Sequence, residues 1–216
     1  SPFYEIDYKT GKTQKIDHHI QIPGTASDIK HVEIENNVLM HEMAVRTSKW
    51  RESNCIISER CFYTDNEYTF LGIKTADSIA RFDKPIYCYL VNQPNQSVGF
   101  EGFKKHYKDY VTVANKIISE FDLKPETYSD NAVNRLLLYK LCSIVNITYL
   151  GYILFGADQK KEIMSFDRNL QMNYPQVYDL VKNKKIRFLR TTNFLGLKIL
   201  SKILRKKTEK ESWENQ

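Results

Sequence analysis

The chain has 216 residues, 42% apolar and 27% charged, and its 32 basic and 26 acidic side chains leave a net charge of +6. That length supports one sizeable core or two small ones, and the composition excludes a disordered or low-complexity protein. The four cysteines, Cys55, Cys61, Cys88 and Cys142, have neither paired C-x-x-C spacing nor the density of a secreted disulfide scaffold, so free thiols in a reducing, cytoplasmic setting are expected.

Ser1 to Tyr8 holds no basic segment followed by an apolar run, so no signal peptide is read there, and the absence of an initiator Met implies processing or trimming. Phe3 to Tyr8 and Val32 to Val45 predict strands, with turns at Thr10-Gly11-Lys12 and Pro23-Gly24. Thr25-Ala26-Ser27-Asp28 predicts the start of a short helix capped by Thr25. Phe62-Tyr63-Thr64-Asp65-Asn66-Glu67-Tyr68 then sets two acids among aromatics. Acids two apart do not share a helix face, so one of Asp65 and Glu67 faces outward while the other anchors the turn. The apolar spacing from Glu67 to Arg81 predicts a helix that begins near Thr64 or Asp65 and leads into a strand from Pro85 to Val91. Asp65 thereby sits at a helix N-terminus, where an anion is favoured.

Phe100 to about Leu180 reads as helical, with Phe103, Tyr107, Tyr110, Val111, Ala114, Ile117 and Ile118 recurring three and four apart. Pro125, with Thr127 nearby, opens a longer helix towards Phe155. Leu136 to Phe155 is the most apolar run. Lys140 interrupts it, and the uncharged part from Leu141 falls short of the roughly 20 residues that cross a bilayer, which predicts a buried helix rather than a span.

Lys182 to Lys207 carries ten basic residues and no acid, so the rest of the chain sums to −4 against the net +6. Phe194, Leu195, Leu197, Ile199, Leu200, Ile203 and Leu204 alternate with Lys198, Lys202 and Arg205 as in an amphipathic helix. Such a helix either packs its apolar face on the protein or lies on an anionic membrane surface, where each basic side chain adds about 1 kcal/mol. Nucleic acid is excluded as a partner, because no alternation of aromatics and arginines accompanies the charge.

Four pieces in register resemble family 2 glycosyltransferases of the inverting GT-A kind, especially bacterial enzymes of capsular and surface polysaccharide synthesis. Val38 to Thr47 is similar to the family's strand ending in "H…R-T". Ile56 to Tyr68 is similar to the "E-x-x-F-Y-x-D-x-E-Y" form of its acidic motif, with Thr64 where many relatives have Glu. Ile86-Tyr87-Cys88-Tyr89 and Asn95-Gln96-Ser97-Val98 resemble the "Y-x-Y…Q-S-V" segment. The resemblance covers roughly residues 1 to 115. It implies an α/β class, or α+β when taken as a portion, divided into an acceptor-side part over 1–98, a helical region over 99–180 and a basic tail over 181–216.

The resemblance implies transfer of a sugar from a nucleotide-sugar donor to a glycan or lipid-linked acceptor, with Asp65 as the general base that takes the acceptor's proton. Helix capping is the plainer role for Asp65. Glu67 either binds an acceptor hydroxyl or stays solvated in the first helical turn, and the resemblance places His41 and Arg46 beside the sugar site, although a lone histidine is commonly structural. Gln96 and Ser97 reach diphosphate or acceptor, or simply form a turn. A divalent Mg or Mn ion is expected for the full enzyme, but the Asp-x-Asp pair that would hold it, and the Rossmann-like half before that pair, are not read in this chain. That half is expected on a missing N-terminal segment, with the enzyme cytoplasmic and associated with the inner face of the membrane. A non-catalytic carbohydrate- or partner-binding module and a peripheral membrane adaptor are the alternatives.

Overall fold

The computed structural model describes residues 1–18, 22, 26–32, 38–94, 96–97, 99–121 and 131–214, with side chains described as far as 207. The fold is mixed, mostly helical with small sheets. It divides into two compact units, one of residues 1–102 with 124–140 and one of residues 103–123 with 141–216. The first division falls after Gly102, and residues 181–216 cluster with the second unit.

In the first unit, β1 (Phe3–Asp7) is the central strand of a three-stranded sheet, antiparallel to β2 (Thr13–Ile16) and parallel to β5 (Cys88–Val91). Its turn into β2 is closed by Asp7, whose Oδ1 accepts the Thr10 amide at 2.7 Å and the Thr10 hydroxyl at 2.9 Å, with Gly11 in the left-handed region at φ 69°. Asp7 Oδ2 accepts from Asn92 at 2.6 Å, joining this turn to the loop after β5. These bonds, that of Asn92 first, hold the Asp7 carboxyl down to about 2.

Ser27–Asp28 (β3) pairs antiparallel with Ser78–Ile79 (β4), and a 3-10 turn at Ile29–His31 follows. Its cap is Asp28, whose carboxylate accepts the Lys30 amide, while Thr25 and Pro23-Gly24 lie outside the described residues. Helices α1 (Thr47–Glu52) and α2 (Asp65–Lys74) complete the unit before α3 (Phe100–Glu120) begins. Helix α2 stops seven residues short of the expected Arg81, because Thr75 to Asp77 turn the chain into β4. Phe3, Ile29, Val32, Phe70, Leu71, Leu136 and Leu137 form the core here.

The second unit is helical. It holds most of α3, the part of α4 (Ala132–Phe155) from Leu141, and α5 (Lys160–Asn173), α6 (Pro175–Leu180), α7 (Lys184–Thr191) and α8 (Leu197–Glu214). Pro125 and Thr127 lie outside the described residues, and the described helix starts at Ala132. By length and composition α4 is apolar enough to cross a bilayer, and 61% of that stretch is buried inside the protein. Pro175 opens α6 at a position where its missing N–H costs nothing, and Asn183 caps α7 by accepting the Lys185 amide at 2.9 Å.

One polar network joins four of these helices. The Tyr149 hydroxyl of α4 donates to Asp167 Oδ1 of α5, which also accepts Arg190 Nε of α7 at 2.8 Å. Arg190 Nη1 donates to the Tyr178 carbonyl of α6 at 2.9 Å, and its guanidinium lies 3.5 Å from the centre of the Tyr178 ring. Burial, with the Asp167 charge second, pushes the Tyr149 hydroxyl far above its ordinary range. All four cysteines are free, and burial lifts the Cys142 thiol to about 11.

Removing the shared acceptor leaves the Arg190 charge without its carboxylate and the Tyr149 hydroxyl without its acceptor in the interior. Asp167→Ala is therefore expected to lower unfolding free energy by about 3 kcal/mol. Arg168→Ala, on the exposed side of α5, should cost less than about 0.5 kcal/mol. Urea titrations of both variants followed by circular dichroism check the contrast.

Candidate functional site

The site is built on the parallel pairing of β1 with β5, which sets Tyr89 opposite Glu5, while the Tyr4 amide donates to the Tyr87 carbonyl at 2.9 Å. Side chains alternate along a strand, so Tyr87 and Tyr89 share the sheet face of Phe3 and Glu5. The His41 ring lies on that face, 4.1 Å from the Tyr89 ring centre at 26°, 5.0 Å from Tyr87 at 23°, and 5.2 Å from Phe3 at 57°. The expected "Y-x-Y" segment and the expected histidine thus meet, 46 to 48 residues apart in sequence.

His41 does not stand on a strand. Met40–Glu42 is a 3-10 turn, and residues 33–37 of the expected strand lie outside the described residues. The turn closes because Glu42 Oε2 accepts the Leu39 amide at 3.0 Å, while Glu42 Oε1 meets His18 Nδ1 at 2.7 Å. Beyond the turn, Met43 and Val45 lie against α2 at Gly72. A Cβ there would sit 2.8 Å from Met43 Cε and 2.9 Å from Val45 Cγ2, so any side chain would force Met43 and Val45 to shift. Arg46 sits exposed at the start of α1.

Asp65 and Glu67 take opposite roles. Glu67 is 0% exposed, and its Oε2 accepts the Ser58 amide at 2.8 Å, so it anchors the approach to α2 from inside rather than meeting a solvent-borne substrate. Asp65, the first residue of α2, is exposed. The residue two before it, Tyr63, has φ 65°, a left-handed conformation that costs a bulky side chain about 1–3 kcal/mol and persists only where the surroundings enforce it. They do so here: Tyr63 is buried, and its hydroxyl donates to the Ser97 carbonyl at 2.7 Å. Ser97 is therefore brought to the acidic motif through its backbone. The Gln96 side chain is engaged by its own loop, donating to the Leu90 carbonyl at 2.7 Å.

Sequence reading passed over Lys140 as a mere interruption of an apolar run. It is 3% exposed, and its ammonium donates to the Val38 carbonyl at 3.2 Å. Burial pulls it down to about 8, against the opposing charges of Asp65 and Glu42. The Asp65 charge also bears on the ring groups: burial lowers His41, opposed by Asp65, Glu42 and Glu5, and burial raises Tyr89, reinforced by Asp65 and Glu5. His41 Nδ1 is buried and makes no hydrogen bond among the described residues. The site is thus an exposed carboxylate whose field reaches a stacked aromatic surface and a buried ammonium. Met40, His41, Met43, Tyr68, Ile86 and Tyr87 line a cavity of about 220 Å³, below the range of about 300–1,000 Å³ that suits drug-sized ligands and closer to one small ring.

Among the described residues no three His, Cys, Asp or Glu side chains converge as metal ligands do, and Asp65 and Glu67 diverge. No family model, curated protein or solved structure matches the chain.

Native Lys140 at about 8 lies below the ordinary 10.5, so between those pH values the unfolded chain holds more protons and stability rises with pH. Below about 8 the buried charge costs its full amount, on the order of 3 kcal/mol. Lys140→Met is expected to be more stable than wild type at pH 7, with the difference shrinking as pH climbs from 8 towards 10.5. Denaturant midpoints of the two proteins across that window measure it.

Gly72→Val drives a side chain into Met43 and Val45 and is expected to cost about 1–3 kcal/mol. It should also shift the ring resonances of His41, which the same segment carries.

Proposed function

We propose that this chain forms the acceptor side of an inverting GT-A-type glycosyltransferase, with Asp65 as the general base. The observation that supports it is the exposed Asp65 carboxylate at the start of α2, fixed by the strained, hydrogen-bonded Tyr63, with its charge felt at the His41–Tyr87–Tyr89 stack. A saccharide needs both parts. Its C–H faces pack on aromatic rings, which carry large apolar area at fixed geometry, and its hydroxyls donate to a carboxylate.

In the transfer step an acceptor hydroxyl gives its proton to Asp65 as its oxygen bonds to the anomeric carbon. The bond to the nucleoside diphosphate breaks on the opposite face, so the configuration inverts. Tyr87, half out of the surface, and His41 orient the acceptor ring, while Glu67 holds the helix that carries the base. The donor is a nucleotide sugar, and the acceptor is a glycan or lipid-linked saccharide. No part of the step is assigned to a metal ion.

Asp65→Asn in the intact protein is expected to lower transfer by about 10²–10⁴-fold while weakening saccharide binding far less, because the Asn amide oxygen still accepts the hydroxyl, with circular dichroism unchanged. Tyr87→Ala should weaken saccharide binding instead. Transfer at the wild-type rate in Asp65→Asn would remove the base, and loss of binding alone in Tyr87→Ala would then leave a carbohydrate-binding module. Residues 1–216 alone are expected not to bind nucleotide sugars, and calorimetry showing micromolar affinity contradicts the division of labour.

A further inference from the structure

The second unit leaves part of its own apolar surface outside. Ile186, Leu189, Phe194, Leu197 and Ser201 are buried, so α7 and α8 each have one side inside the protein. On the other side Leu195 is 77% exposed, Ile199 65% and Ile203 59%. Residues four apart lie one above another on a helix, so Ile199 and Ile203 form a line along the first two turns of α8, with Leu195 exposed in the turn just before it. Lys198, Lys202 and Lys206, all exposed, form a second line beside it at the same spacing. The Phe188 ring of α7, 44% exposed, closes over Gly196, where a Cβ would lie 2.4 Å from its Cε1, and extends the apolar line.

Single exposed apolar side chains need no explanation, but a row of them does. We infer that this face of α8 docks on an anionic lipid leaflet, with Leu195, Ile199 and Ile203 entering the acyl boundary and the lysine row meeting the headgroups. Charge complementarity selects that occupant, since Lys182 to Lys207 contains no acid and ten bases. A protein partner recognised by apolar contact alone would not require three lysines in register with the apolar row. The acid found against the row is Asp158, which pairs with Lys198 at 3.0 Å while itself 91% exposed, and a bond between two such exposed groups is readily exchanged for a headgroup. One side of α8 is buried, and the proposed docking uses the other. This inference is independent of the transfer activity, because it uses no residue of the Asp65 site.

The test is co-sedimentation of the whole chain with vesicles of phosphatidylcholine alone and of phosphatidylcholine with about a third phosphatidylglycerol. Binding is expected to the anionic vesicles and not to the neutral ones. Replacing Lys198, Lys202 and Lys206 by Gln should weaken it on the order of a hundredfold. The double substitution Ile199→Ser with Ile203→Ser should weaken it at least about tenfold. Both variants alter only exposed positions, so circular dichroism should be unchanged. No binding to anionic vesicles overturns the inference. So does a loss confined to the lysine variant, which marks a mere polycation. Sedimentation equilibrium showing a wild-type dimer that the isoleucine variant dissociates overturns it too, by giving the face to a second copy.

Discussion

The burial of Glu67 is the constraint on which the first unit's geometry turns. A carboxylate inside the protein must be hydrogen-bonded, and the Ser58 amide supplies that bond, tying the segment before α2 to its first turn. With Glu67 drawn inward, Asp65, two residues back, is left outward at the helix N-terminus, where an anion is stabilised. Tyr63 completes the arrangement by accepting a left-handed backbone in return for a buried ring and a bond to Ser97. One inward acid therefore both defines the helix start and frees its neighbour.

The same unit tolerates a second unfavourable element, a buried ammonium. Lys140 has one carbonyl acceptor and lies within the fields of Asp65 and Glu42, so a charge is retained in the core where an apolar side chain would be cheaper. Groups perturbed by burial and by specific charges concentrate at functional sites. Here Lys140, His41 and Tyr89 are all perturbed, and all feel Asp65. The second unit handles its buried charge differently: Asp167 and Arg190 satisfy one another and two further helices, as a structural network does.

Much of this was legible in the sequence where local physics decides. The start of α2, the outward and inward division of Asp65 and Glu67, the helical periodicity of α3 and the amphipathic character of α8 follow from spacing alone. Over Val38 to Val45 the apolar residues Val38, Leu39, Met40, Met43 and Val45 look strand-like, whereas Glu42 closes a turn on Leu39, a signal present in the spacing of three. The pairing of β1 with β5 was not legible, since it joins residues more than eighty apart and is set by the core rather than by either segment. Nor was the left-handed Tyr63, because nothing in a tyrosine announces a conformation that only its burial enforces. Lys140 carried a faint mark, a lone charge in an apolar helix, whose neighbours only the fold supplies.

The claim that Asp65 and the aromatic stack form one acceptor site is tested most directly by nuclear magnetic resonance. Side-chain spectra with labelled Asp, His and Tyr would be followed during titration with a panel of saccharides. The account predicts joint movement of the Asp65 carboxyl carbon and the rings of His41, Tyr87 and Tyr89, with one common affinity, while exposed Tyr139 stays still. Saccharide-dependent shifts that leave Asp65 untouched, or that fall only on tyrosines outside the stack, would contradict it.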